Sequence, residues 1–109
     1  MNAKTIHDEH TKTIQLKPQI IGIEGIVLST GEVNLFKKSI VISQPDNLLI
    51  NPDTKIIYNI EYKCHDNNSQ ANHAIYQLKR AEGLLKRIFP DYKTINLYIH
   101  DDYKIEVLK

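Results

Sequence analysis

The apolar positions of the chain change rhythm along its length, and each rhythm predicts a different element. Ile20-Ile21-Gly22-Ile23-Glu24-Gly25-Ile26-Val27-Leu28 is dense in β-branched residues, and its glycines discourage a helix, so it reads as a strand. Thr30-Gly31 signals a turn, with short strands over 33–36 and 39–42 after it. Two further apolar runs, 47–50 and 56–63, flank Asn51-Pro52-Asp53-Thr54. Proline fixes φ there and aspartate bonds nearby backbone, which makes this stretch a β-hairpin. After a polar connector from His65 to Gln70 the rhythm becomes helical. Ala74, Leu78, Ala81, Leu85 and Ile88 line one stripe of a helix from about Ala71 to Phe89. Gly83 weakens that helix and Pro90 stops it. Residues 94–99 return to strand, and Asp101-Asp102 turn the chain into a last strand over 103–108.

Strands, one long helix and two more strands describe an α/β fold. It has a mixed central sheet, a hairpin leading into the helix, a further strand pair, and the helix packed on one face. A right-handed crossover through that helix places the strand of Glu61 parallel to the strand that begins at Thr94. The segment from Met1 to Thr13 is polar and reads as a flexible leader, with a short helix as the alternative, and residues 1–109 form a single domain.

Composition narrows the function classes. Apolar residues make up 41% and charged residues 25%, as in a globular protein, and the formal net charge is only +1. Any nucleic-acid face must therefore come from local clustering of charge. One cysteine excludes an intrachain disulfide and a multi-cysteine zinc site. No apolar run reaches the ~18 residues needed to span a bilayer, so no membrane partner is expected, and the expected compartment is the cytoplasm.

The candidate chemistry lies at the open end of the hairpin. Alternation puts Asn59, Glu61 and Lys63 on one face and Tyr58, Ile60, Tyr62 and Cys64 on the other. A turn centred between Asp53 and Thr54 sets Asp46 directly opposite Glu61; a turn centred one residue earlier leaves them diagonal neighbours. Facing carboxylates repel, and a divalent cation such as Mg²⁺ relieves the repulsion while activating water and stabilising charge on a phosphate. Lys63 beside them can orient that water or neutralise the phosphorus centre.

Pro45-Asp46 followed, after the hairpin turn, by Glu61-Tyr62-Lys63 resembles the PD-(D/E)XK signature of restriction-endonuclease-like nucleases. The context matches: the aspartate opens one strand, the second acid and the lysine close the next, and a helix follows. The resemblance spans roughly Gln44 to Ile99 and implies a restriction-endonuclease-like core that hydrolyses DNA with Mg²⁺ or Mn²⁺. Family members include restriction enzymes, junction resolvases and phage or viral exonucleases. Asp46 and Glu61 would be metal ligands, Lys63 the catalytic lysine, and Gln77 the glutamine often found on the following helix. A helix ahead of the first strand usually supplies a further glutamate. No such helix is evident in this chain; Glu24 is the best stand-in, with Glu32 and Glu9 as weaker options. Lys79 and Arg80 are candidates for gripping DNA phosphates. So small a domain suits a homodimer.

Other readings of the same residues stand beside these. Glu61 and Lys63 can be solvated charges on an open strand face, Asp46 a turn residue after Pro45, and the cations of the helix its wet side. Cys64-His65 with His73 matches no standard zinc spacing, and Cys64 reads as a small core residue. Most of the tyrosines read as half-buried sheet residues with hydroxyls in water. The alternatives to an enzyme are a non-catalytic nucleic-acid-binding module on the same fold and a small structural protein.

Overall fold

A computed structural model describes residues 2–26 and 28–108. Where a leader is expected, helix α1 runs over Ala3–Leu16, capped by Asn2, whose side chain accepts a hydrogen bond from the Thr5 N–H at 2.9 Å. Its inward residues step by three and four, as a helix requires, but two of them are histidines. His10 stacks on Tyr62 with ring centroids 5.0 Å apart, and His7 meets the same ring edge-on at 5.6 Å. Ile14 completes the stripe in the core. Histidine scores as polar in a hydropathy pattern, which is why this helix reads as a leader.

The segment expected as the first strand is different too. Pro18–Ile21 forms a 3₁₀ turn, and Gly22 and Gly25 take φ of 75° and 73°, left-handed values that glycine adopts without strain. The residues between them run irregularly, with Ile21 and Ile23 buried, and only the two-residue strand β1 (Leu28–Ser29) is regular. Val27 of the expected strand lies outside the described residues. Strands β2 (Leu35–Lys37) and β3 (Ile40–Ser43) then pair as a separate two-stranded hairpin.

Strands β4 (Asn47–Asn51) and β5 (Ile56–Lys63) form the expected hairpin. The Asn51 carboxamide accepts from the N–H groups of Asp53 and Thr54 at 3.0 and 3.2 Å, closing the turn. Helix α2 (Asn68–Ile88) starts earlier than its apolar stripe because Asn67 caps it, accepting from the Gln70 N–H. Ala74, Leu78, Ala81 and Leu85 are buried as expected; Leu84 joins them, while Ile88 is exposed near the end of the helix. The chain returns in β6 (Lys93–His100), parallel to β5, and ends in β7 (Lys104–Leu108), antiparallel to β6.

The result is a mixed α/β fold around a five-stranded sheet of order β1-β4-β5-β6-β7, with a long helix and a further strand pair. The long helix packs on one face as expected, and α1 adds a second layer on the other. Leu49, Ile60, Tyr62, Leu97 and Ile99 pack against Ile14 of α1 and the 3₁₀ turn. On the opposite face, Leu48, Ile50 and Ile57 pack against Ala81, Leu84 and Leu85 of α2. Asn59 is stitched into the second layer, its amide donating to the Leu78 carbonyl at 3.0 Å and to Asn96 Oδ1 at 2.9 Å. Tyr62 and Tyr98 are more enclosed than half-buried sheet tyrosines, and their hydroxyls donate to the Asp101 carbonyl and Asp66 Oδ1. No helix among the described residues is long and apolar enough to cross a membrane.

Candidate active site

The β4–β5 register decides where the acids stand. Asn47 pairs with Ile60 and Asn51 with Ile56, so the next step of the ladder sets Asp46 opposite Glu61. The Asp46 N–H extends the ladder by donating to the Ile60 carbonyl at 3.2 Å. Its carboxylate Oδ2 turns back to accept from the Tyr62 N–H at 2.8 Å. Both side chains lie on the α2 face, and both are sunk: Asp46 is 6% exposed and Glu61 4%. Lys63, two residues on, holds its Nζ 3.8 Å from Glu61 Oε1. The hairpin turn and strand alternation thus bring together three of the residues singled out in the sequence.

The fourth partner was not among them. His7 comes from the helix on the other face and meets Asp46 where β4 begins, with its Nε2 3.2 Å from Asp46 Oδ2. The signal that could have found it is the stepping of His7, His10 and Ile14 behind the capping residue Asn2.

Electrostatics follow from the burial. Removal from water, and then the charge and hydrogen bonding of Asp46, push the Glu61 carboxyl up to about 9, with Glu32 adding to the effect and Lys63 opposing it. At neutral pH Glu61 therefore keeps its proton. Hydrogen bonding to Asp46 raises the His7 imidazole above its ordinary value, against the lowering effect of burial. Two acids in a low-dielectric hollow, one of them kept protonated by burial and by the other's charge, fit a hard divalent cation, which would displace that proton.

These groups floor a cleft of about 420 Å³. One wall is the β2–β3 hairpin and the segment after it, through Val41, Ile42, Ser43 and Gln44; the other is α2, through His73, Tyr76, Gln77 and Arg80. Gln77 thus reaches the site, and its Oε1 is shielded from solvent with no hydrogen-bond partner among the described residues. Of the candidates for a third acid, Glu32 borders the cleft. Glu24 does not: the left-handed glycines beside it turn its segment into a separate hollow with Pro18 and Gln19. Glu9 is exposed on α1, outside the cleft lining. Arg80 is on the cleft wall, whereas Lys79 is exposed on α2 and does not line it.

Cys64 packs against the α1-side core and donates its S–H to the Ala3 carbonyl, apart from His73 in the cleft, so the two form no common centre. A second cluster that the sequence did not suggest gathers at β6 and β7. Asp66, His100 and Glu106 offer ligand atoms within 4.8 Å of one another. Hydrogen bonding accounts for it: His100 Nε2 lies 3.1 Å from Glu106 and its Nδ1 2.7 Å from Asp101. Among known protein families, curated proteins and solved structures, none matches this chain.

Proposed function

We propose that this protein is a metal-dependent nuclease that hydrolyses DNA phosphodiester bonds, on a restriction-endonuclease-like core. The observation that carries the reading is the facing pair of buried carboxylates, Asp46 and Glu61, with Lys63 beside them on the floor of an open cleft. A purely structural cluster gains nothing from burying two acids that must then share a proton, because desolvation makes such a pair costly. Asp46 and Glu61 would hold Mg²⁺ or Mn²⁺ through their carboxylate oxygens. Bound there, the cation supplies Lewis-acid stabilisation of charge on the phosphate.

The chain's own side chains do the rest. The Tyr62 N–H and His7 fix the Asp46 carboxylate, so its orientation does not depend on the substrate. The Lys63 ammonium orients the attacking water and meets the negative charge that develops on the phosphoryl oxygens. Gln77 offers its unpartnered Oε1 to accept a hydrogen bond from that water, and Arg80 on the wall anchors a neighbouring phosphate. Lys79, further out on α2, adds a peripheral contact to the strand.

The test is cleavage of duplex, single-stranded and branched DNA with added Mg²⁺ or Mn²⁺. Glu61→Ala and Lys63→Ala should each lower the rate by roughly 10²–10³-fold, while circular dichroism shows the fold retained. Cleavage that survives both substitutions overturns the proposal. So does the absence of cleavage with every substrate and both cations.

A further inference from the structure

The two walls of the cleft differ from its floor. The floor is charged and buried, but the rim is aromatic, apolar and cationic. On α2, Tyr76 is 59% exposed, and the Arg80 guanidinium lies 5.8 Å from its ring centroid while donating to its hydroxyl at 3.0 Å. On the hairpin, Val41 lines the cleft, and its cross-strand partner Phe36, 54% exposed, carries the same face outward. Lys37 and Lys38 stand at the hairpin tip, where Lys38 and Ser39 take the left-handed backbone of a tight turn. Exposed aromatic and aliphatic side chains facing each other across a cleft, with the Arg80 cation on one wall, match the face of a base and the phosphate beside it.

Depth decides which form of DNA can use this arrangement. A duplex is a convex rod whose base faces are already stacked and whose grooves offer edges, not faces. Its phosphates would have to descend between a hairpin and a helix to reach carboxylates that are almost wholly enclosed. An unpaired strand bends, and it can lay one base against Tyr76 and Arg80 while its phosphate drops to the floor. The cleft volume of about 420 Å³ suits a group of ordinary small-ligand size, which a single nucleotide is and a base pair with both backbones is not. Resting on the nuclease reading, we infer that the site takes an unpaired DNA strand, with Tyr76 as the base platform and the β2–β3 hairpin as the opposing jaw.

The inference is tested by binding, separately from cleavage. Fluorescence anisotropy with Ca²⁺ in place of Mn²⁺ would compare a labelled oligothymidylate, a blunt duplex of equal length and the same duplex with a single-stranded overhang. The single strand and the overhang should bind at least tenfold more tightly than the blunt duplex. Tyr76→Ala should weaken single-strand binding by roughly tenfold, Tyr76→Phe should retain it, and thermal melting should show both variants folded. Equal affinity for blunt duplex and single strand overturns the inference, as does unchanged single-strand binding in Tyr76→Ala. Cleavage in Mn²⁺ reads the other question: a single-strand preference without cleavage sinks the nuclease and leaves the strand specificity standing.

Discussion

Two histidine–carboxylate clusters sit at the same end of the sheet, on neighbouring parallel strands, for Lys63 of one is in register with His100 of the other. In the first, the acids are buried and the histidine is partly exposed: Asp46 and Glu61 are enclosed, and His7 reaches in from α1. In the second the arrangement is inverted. His100 is buried, while Asp66 and Glu106 reach it from the surface and stay in contact with water. Solvated carboxylates hydrogen-bonded to a buried ring make an ordinary surface network, of modest energetic consequence. Carboxylates excluded from water and set opposite each other must give up a charge or gain a cation. The residue types are nearly the same; on the proposed reading, the side on which the low dielectric falls separates a site from a tie.

The largest expected effect tests that separation through catalysis. Glu61→Ala should lower Mn²⁺-dependent cleavage by roughly 10²–10³-fold, whereas Glu106→Ala, measured in the same assay, should leave the rate within about twofold, as most exposed substitutions do. Equal losses in the two variants would erase the distinction between the clusters.

Much of the first cluster was legible beforehand, and the reasons are local. Asn51-Pro52-Asp53-Thr54 marks the turn and the two-residue period fixes the faces, which brings Asp46 beside Glu61; the choice between facing and diagonal is made by the register of the ladder. The stripe of α2 was legible in the same way and carried Gln77 and Arg80 to the cleft wall. What failed were segments whose packing breaks the usual code. α1 buries histidine rings against Tyr62, so its inward face looks polar, and His7 was lost with it. Residues 20–28 look like a strand by β-branching, but Gly22 and Gly25 hold the chain in left-handed turns. The second cluster was invisible because its members come from β6, β7 and a connector, and only the sheet register joins them.

The next effect is in cation binding. Because Glu61 keeps its proton up to about pH 9 in the metal-free protein, Mn²⁺ must displace it, and affinity should rise with pH by up to roughly tenfold per unit between pH 6 and 8. Calorimetry in buffers of different ionisation enthalpy would read the proton released. Glu61→Gln should abolish both the proton release and most of the binding. Binding that is independent of pH would contradict the shared-proton description of the floor.

Stability should respond in the same window with the opposite sign. The folded pKa of Glu61 lies above its unfolded value of about 4.5, so its contribution is fully present below that pH and is lost as pH rises towards 9. His7, also raised, contributes in the same sense: present below about 6.5 and lost as pH climbs through its higher folded value. Metal-free protein should therefore become less stable from pH 5 to pH 9, by at most about 1.4 kcal/mol per unit for each proton involved. Urea denaturation should show that slope flattened in Glu61→Gln, and a slope unchanged by this substitution would place the titrating group elsewhere.

The smallest effect concerns the second cluster and bears hardest on the comparison. If His100, Asp66 and Glu106 serve only as ties between β6, β7 and the connector before α2, Glu106→Gln should cost no more than about 0–1 kcal/mol, an amount that added salt would shrink further. The count of Mn²⁺ ions bound should not change, because the cation is assigned to Asp46 and Glu61. A stoichiometry that falls by one in Glu106→Gln while Glu61→Gln retains a bound ion would reverse the assignment. The exposed cluster would then be the cation site, and the buried acids would be a proton-sharing pair that merely braces the end of the hairpin. Measuring both variants in one titration separates these arrangements even in the absence of any cleavage.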